Sequence, residues 1–214
     1  MLLTYAKSQL GGASGADSRM YVSKIGPFDG NSWEALCQLV FKSKFGHEGY
    51  QEMVASPGDF GIEGFTLDTG RAFQCYCPDK NLASKDLYEA QRDKMTVDLG
   101  KLRTYQSEIK RRIGDTKIRE WIFLSPDIDR NALLAHAREK EKEVQHWNLG
   151  IIASDFRVLL HDAGNYHLEI NEIRSSAGQA LCFDPTPVAL PPISESPEQL
   201  EENIGSLSNP GLGR

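Results

Sequence analysis

The chain has 214 residues, a net charge of −6, 40% hydrophobic and 25% charged residues. That length supports one sizeable core and argues against a second full domain; the balance is that of an ordinary globular protein rather than a disordered or fibrous one. With no apolar run long enough to span a bilayer and no leader pattern, the expectation is a cytoplasmic protein whose four cysteines, Cys37, Cys75, Cys77 and Cys182, are free thiols.

The first thirty residues read as an N-terminal segment, with a glycine- and serine-rich loop over Gly11 to Ser18 and a turn at Gly26 to Gly30. A helix follows from Asn31 or Ser32, because Trp33, Leu36, Cys37, Val40 and Phe41 make one apolar stripe. Glu34 sits at the edge of that stripe. It is either a site carboxylate or the returning half of an Asn31-x-x-Glu34 capping box. Tyr50 to Ala55 reads as a strand. Gly64 to Leu67 and Arg71 to Cys77 form a hairpin around Asp68-Thr69-Gly70, which Pro78 ends. Leu82 to Ile113 is helical, with a break expected near Gly100. Ile118 to Leu124 is a buried strand, Asp129 to Val144 a helix, and Leu149 to Ala153 a strand. Asp155 is expected to cap a short helix from Phe156 to Leu160, and Tyr166 to Ile173 to form a last strand. Long helical connections favour parallel crossovers for the later strands. From Phe183 onward proline, serine and glutamate dominate, the composition of a disordered tail or linker. The domain plan is therefore 1–30, 31–182 and 183–214.

The charge is uneven. Lys80 to Arg119 holds eleven Lys and Arg against six Asp and Glu, a local balance of +5, so the remainder carries −11. A basic surface on an acidic protein is compatible with phosphate contact, although each of these residues alone reads as part of a solvated helix face.

The densest chemistry lies in Gly58-Asp59-Phe60-Gly61-Ile62-Glu63-Gly64 and in Phe73-Gln74-Cys75-Tyr76. Asp59 and Glu63 sit among glycines that let backbone approach a ligand. Gln74 and Tyr76 share one strand face and Cys75 the other. A buried amide must find partners. If Gln74 faces the turn, two carboxylates and an amide oxygen converge, a donor set that suits Mg²⁺. For Asp59 alone the bland reading is a turn aspartate bonding its own backbone; for Glu63 it is solvent exposure at a strand start.

These motifs resemble the Mrr-like branch of the PD-(D/E)xK nucleases, the restriction-endonuclease superfamily. There a G-D-x-G-x-D-G turn precedes a strand carrying Gln or Glu, any residue, and then Lys, and an upstream helix adds a Glu. The resemblance covers roughly Asn31 to Leu160. It implies an α/β, three-layer core with a mixed central sheet flanked by helices. It also implies a Mg²⁺-dependent endonuclease, Mn²⁺ serving in its place, that cleaves double-stranded DNA in restriction or antiphage defence, held in check by oligomerisation or a regulatory partner. Asp59, Glu63, Gln74 and the Cys75 carbonyl would hold the metal, with Glu34 as the helix acid. Tyr76 stands where the lysine belongs. Lys80 is the first candidate to replace it, with Lys85 and Lys94 as the others. If none reaches the site, the alternative is an inactive nuclease-like module that binds DNA or a partner protein. RNA cleavage is a third reading, since no residue pattern marks recognition of a 2′-hydroxyl.

Overall fold

The structure is a computed structural model, and it describes residues 20–54 and 60–177. The elements run as a hairpin, β1 (Tyr21–Ser23) and β2 (Gly26–Phe28); α1 (Gly30–Phe45); β3 (Tyr50–Glu52); β4 (Gly64–Thr66); β5 (Arg71–Cys75); α2 (Ser84–Thr104); α3 (Gln106–Ile113); β6 (Ile118–Leu124); α4 (Ala132–His146); β7 (Ile152–His161); and α5 (His167–Ala177), entered through a 3₁₀ turn at Ala163–Tyr166. Strands β3-β4-β5-β6-β7 form one sheet in that order. The first three are antiparallel, and β5, β6 and β7 run parallel. The protein is thus α/β, with a five-stranded mixed sheet between helical layers and parallel crossovers where the long helical connections predict them.

Strand alternation splits the core in two. Ala72, Trp121, Phe123, Phe156 and Val158 face α2, α3 and α4, meeting Met95, Leu99, Leu102, Ile109 and Leu133. Phe73, Cys75, Ile122 and Leu124 face α1 and α5, meeting Trp33, Phe41, Phe45 and Ile170. Phe41 and Phe73 are both fully buried, their rings 4.2 Å apart. Truncating such a residue to alanine costs about 3–5 kcal/mol. The β1–β2 hairpin, expected only as a turn, belongs to this second cluster through Tyr21 and Phe28, and the Tyr21 hydroxyl donates to Asp127 at 3.0 Å. A division at residue 30 therefore cuts through one core. The expected loop at Gly11 to Ser18 and the tail from Phe183 lie outside the described residues.

Several element readings are corrected. Helix α1 is capped by Asp29, whose carboxylate accepts from the Ser32 amide at 2.7 Å while the Ser32 hydroxyl takes the Asp29 amide at 2.9 Å. The capping box is Asp29–Ser32, which removes Glu34 from that role. The long helical stretch breaks at Tyr105, where Tyr105 meets the Phe60 ring edge-on at 5.4 Å, and runs unbroken through Gly100. β7 is a single ten-residue strand where a strand and an Asp155-capped helix were expected, because Phe156 and Val158 alternate inward against α4. Tyr166, Ile170 and Ile173 pack on α1 as a helical stripe, so the last segment is helix and not strand. The hairpin strands are shorter than expected, although the Tyr76 amide still donates to the Leu124 carbonyl at 2.8 Å before Pro78 ends the pairing.

β7 forms one edge of the sheet, and α4 covers its outward backbone. Gln145 donates to the Phe156 carbonyl at 2.8 Å and Arg138 to the Val158 carbonyl, while the Val158 amide donates to Glu141 at 2.9 Å.

Candidate active site

Glu63 closes the loop entering β4, and its backbone is pinned from three sides. Its amide donates to the Phe73 carbonyl at 2.8 Å. Its carbonyl accepts from the Met53 amide at 2.9 Å and from Gln38 Nε2 of α1 at 3.0 Å. Gln38 is held in turn by the Tyr50 hydroxyl at 2.7 Å.

The two glycines around Glu63 answer to neighbours distant in sequence. Gly64 leaves room for Tyr50, whose hydroxyl would lie 2.0 Å from an added Cβ. Gly61, at φ +76°, rests on α2, where a Cβ would meet the Asp98 carbonyl oxygen at 2.3 Å. The Gly61 carbonyl accepts from the fully buried Trp121 indole at 2.9 Å.

Both Glu63 carboxylate oxygens are engaged from β5. Gln74 Nε2 donates to Oε1 at 2.8 Å and the Cys75 amide to Oε2 at 2.9 Å. Gln74 is fully buried, and its Nε2 also lies 3.3 Å from the Cys75 carbonyl. Gln74 Oε1 has no hydrogen-bond partner. An acceptor stranded in the interior costs about 1–3 kcal/mol.

Burial pushes the Glu63 carboxyl up to about 7; the Glu34 charge adds to the rise, and the Cys75 thiol and amide together with the Lys94 charge hold it back. Glu34 is exposed on the first turns of α1, lining a groove of about 500 Å³ with Asn31, Gln38 and Glu52. Glu63, Gln74 and Cys75 do meet, but through other atoms than expected: the groups turned to Glu63 are the Gln74 Nε2 and the Cys75 amide, both donors, and the Cys75 carbonyl, expected as a metal ligand, accepts from Gln74 Nε2. The Glu34 charge acts on Glu63. Asp59 lies outside the described residues.

The lysine candidates separate. Lys80 is exposed on the bend after β5, and Lys85 is exposed and pairs with Glu89 at 3.8 Å. Lys94, on α2, is the candidate whose charge acts on Glu63. Position 76 is committed to packing, since Tyr76 stacks on Phe123 with ring centres 6.0 Å apart. Sequence reasoning passed over Gln38, Tyr50 and Asp98, and met Lys101 only as one member of the basic stretch. One signal was readable: Leu87, Gln91, Met95, Asp98 and Leu102 trace the buried stripe of α2, so Asp98 places an acid at a core position.

Much of the basic excess of this stretch is tied up locally. Lys94 and Lys101 pair with Asp98, Arg92 with Asp93, Lys110 with Asp115, and Arg111 and Arg112 with Glu108. The Arg112 guanidinium also lies over the Phe60 ring at 4.5 Å.

Among the described residues no three His, Cys, Asp or Glu side chains gather as a ready-made metal cluster. The oxygen donors nevertheless fit a hard cation. A stranded amide oxygen and a carboxylate whose ionisation burial opposes are both groups that a divalent ion would satisfy. No protein family matches this chain, and no curated protein or solved structure resembles it significantly. Among the described residues no helix is long and apolar enough to cross a membrane.

Proposed function

We propose that the chain is a Mg²⁺-dependent endonuclease acting on duplex DNA, with a restriction-endonuclease-like arrangement of its α/β core. The observation that carries this reading is Gln74 Oε1, fully buried, without a partner, and on the same side chain that donates to Glu63. Natural proteins seldom leave a polar atom stranded in this way; an ordered water or a bound ion meets it, and beside a buried carboxylate the ion is the reading we take.

Glu63 and Gln74 Oε1, with Asp59 and Glu34 as further acids, would hold the ion. Bound there, Mg²⁺ supplies polarisation of the phosphodiester and acidification of an attacking water. The chain's own residues do the rest. Gln38 and Tyr50 fix the Glu63 backbone, and the Cys75 amide fixes its carboxylate. The Lys94 ammonium takes the place that Tyr76 leaves empty of charge, donating to the phosphate oxygen on which negative charge grows. Basic residues of α2 and α3 meet the DNA backbone without reading its sequence. By resemblance, such an enzyme serves restriction or antiphage defence and waits on an oligomer or a partner.

Tyr76, half-buried and packed against the core, favours one second reading, an inactive module that keeps the fold and binds DNA or protein. Plasmid cleavage in Mg²⁺ or Mn²⁺ decides between them, comparing wild type with Asp59→Ala, Gln74→Ala, Lys94→Met and Lys80→Ala. The nuclease reading expects metal-dependent nicking that is lost in the first three variants and kept in Lys80→Ala. Loss in Lys80→Ala with full activity in Lys94→Met would return the lysine to the loop. A wild-type protein that binds DNA and never cuts it, alone or in its oligomer, would leave the inactive module.

A further inference from the structure

Asp98 is an acid in the wrong place for stability. It is fully buried on α2 at a position of the same stripe as Leu87, Met95 and Leu102. A charge in such a place is tolerated only when paired, and replacing a buried ion pair by apolar packing is often neutral or stabilising. Asp98 has two partners from its own helix. Lys101 Nζ donates to Oδ1 at 2.8 Å. Lys94 Nζ lies 2.9 Å from Oδ2 as an ion pair, without an aligned hydrogen bond to that oxygen. Positions 94, 98 and 101 stand at i−4, i and i+3, so one face of the helix carries all three. Both lysine side chains keep about a quarter of their surface in solvent, 29% and 24%.

This turn of α2 is also where the acidic loop lands. Gly61 sits so close that a Cβ there would strike the Asp98 carbonyl and come within 3.2 Å of Lys101 Cβ. Two residues later the loop delivers Glu63, on which the Lys94 charge acts.

We propose that Asp98 is a positioning residue, holding Lys94 and Lys101 as a pair of phosphate-binding cations beside the Glu63–Gln74 pair. The choice of duplex DNA as the ligand rests on the nuclease reading above. Lysine is a flexible point charge on a four-carbon stem. A lysine delivered from a helix, further from the sheet than one on β5, needs a fixed anchor to keep its ammonium over the site. Asp98 supplies that anchor to two lysines at once, and Gly61 keeps the anchor and the loop in register.

The test is fluorescence anisotropy of a labelled duplex in Ca²⁺, over a series of salt concentrations, with thermal melting to verify folding. The proteins are wild type, Lys94→Met, Lys101→Met, the double lysine variant, Asp98→Asn, and Asp98→Asn combined with the double lysine variant. Each lysine variant is expected to weaken binding about three- to tenfold and to flatten the salt slope by about one. Asp98→Asn is expected to weaken binding as well, and to add nothing once both lysines are gone. A loss from Asp98→Asn that adds in full to the double lysine variant makes Asp98 merely structural and overturns the proposal. So does duplex binding by the lysine variants equal to wild type, a result that also decides the matter if Asp98→Asn does not fold. No duplex binding by wild type overturns it too. Plasmid cleavage run in parallel keeps the two ideas apart. Binding that depends on the pair, in a protein that never cuts, upholds the pair and ends the nuclease reading. Cutting that ignores all three residues ends the pair and leaves the nuclease.

Discussion

The two ends of β5, four positions apart, treat charge in opposite ways. At the entry, Arg71 donates through Nε to Glu120 at 2.8 Å and through Nη1 to both oxygens of Glu48, whose carboxylate also accepts from Thr69. Burial works against the Glu48 charge, but the Thr69 and Arg71 hydrogen bonds outweigh it and hold that carboxyl below its usual range. At the exit, burial wins over the hydrogen bonds to Glu63, its carboxyl rises to about 7, and Gln74 Oε1 goes unpaired. One end is a closed network that holds the sheet together. The other leaves a buried acceptor unpaired and a carboxylate whose charge burial opposes, and on that end the proposed metal site rests.

The sharpest way to break this contrast is substitution at each end. Glu63→Ala is expected to lower plasmid cleavage by roughly a thousandfold or more, the scale of a lost group that acts on the transition state, while Glu48→Ala leaves cleavage near wild type. Equal losses would erase the distinction. The next largest effect is in pH. Glu63 holds its proton in the folded state up to about 7 against 4.5 in the unfolded chain. Over that window the unfolded state binds fewer protons, so stability falls as pH rises, by up to about 3 kcal/mol. Urea unfolding at pH 5 and pH 8 should show this fall in wild type and not in Glu63→Gln. Glu48 works the other way: its contribution is present above the ordinary carboxylate range and is lost as pH drops through its depressed value.

Glu48→Ala should cost about 2 kcal/mol by leaving Arg71 and Thr69 short of a partner, read as a lower urea midpoint at pH 7. Millimolar Mg²⁺ should raise the melting temperature by a few degrees in wild type, through binding to the folded state alone. Gln74→Leu should abolish that rise, and Arg71→Lys should keep it. The smallest effect belongs to Arg119, paired with Asp155 at 2.6 Å on the surface with both side chains more than half exposed. Arg119→Ala should change stability by less than about 0.5 kcal/mol.

The sequence spoke most clearly where one short-range rule governed. The period of two placed Gln74 opposite Cys75, and the turn glycine located the hairpin. Gly70 also illustrates what it could not say, since an added Cβ there would strike the Lys117 carbonyl at 2.2 Å, a neighbour from the turn just ahead of β6. Asn31 and Glu34 matched a capping box in spacing, yet Asp29 and Ser32 had first claim once the chain turned out of β2. Phe156, Leu159 and Leu160 imitate helical spacing, and only their pairing along β6 makes them a strand. At the helix break Tyr105 meets Phe60, forty-five positions away, a contact no local pattern announces. In the site, Glu63 and Gln74 were readable from spacing. Setting Lys94 against Lys80 as the proposed lysine required knowing which face of α2 meets Gly61, and Gln38 and Tyr50 act through contacts that no local pattern encodes.

The three α4 side chains on the rim of β7 bear on how molecules meet one another. A ten-residue rim with free backbone groups would invite a strand from a second molecule, the first step toward fibres and swapped dimers. Gln145, Arg138 and Glu141 take those groups at Phe156 and Val158, so growth of the sheet is blocked where it would be longest. The opposite rim, β3, is three residues long and carries the Glu52–Lys42 pair at 2.5 Å. Fusion partners, tags and assembly interfaces are therefore best placed away from α4, since loosening its rim would open β7 to pairing with a strand of a second molecule.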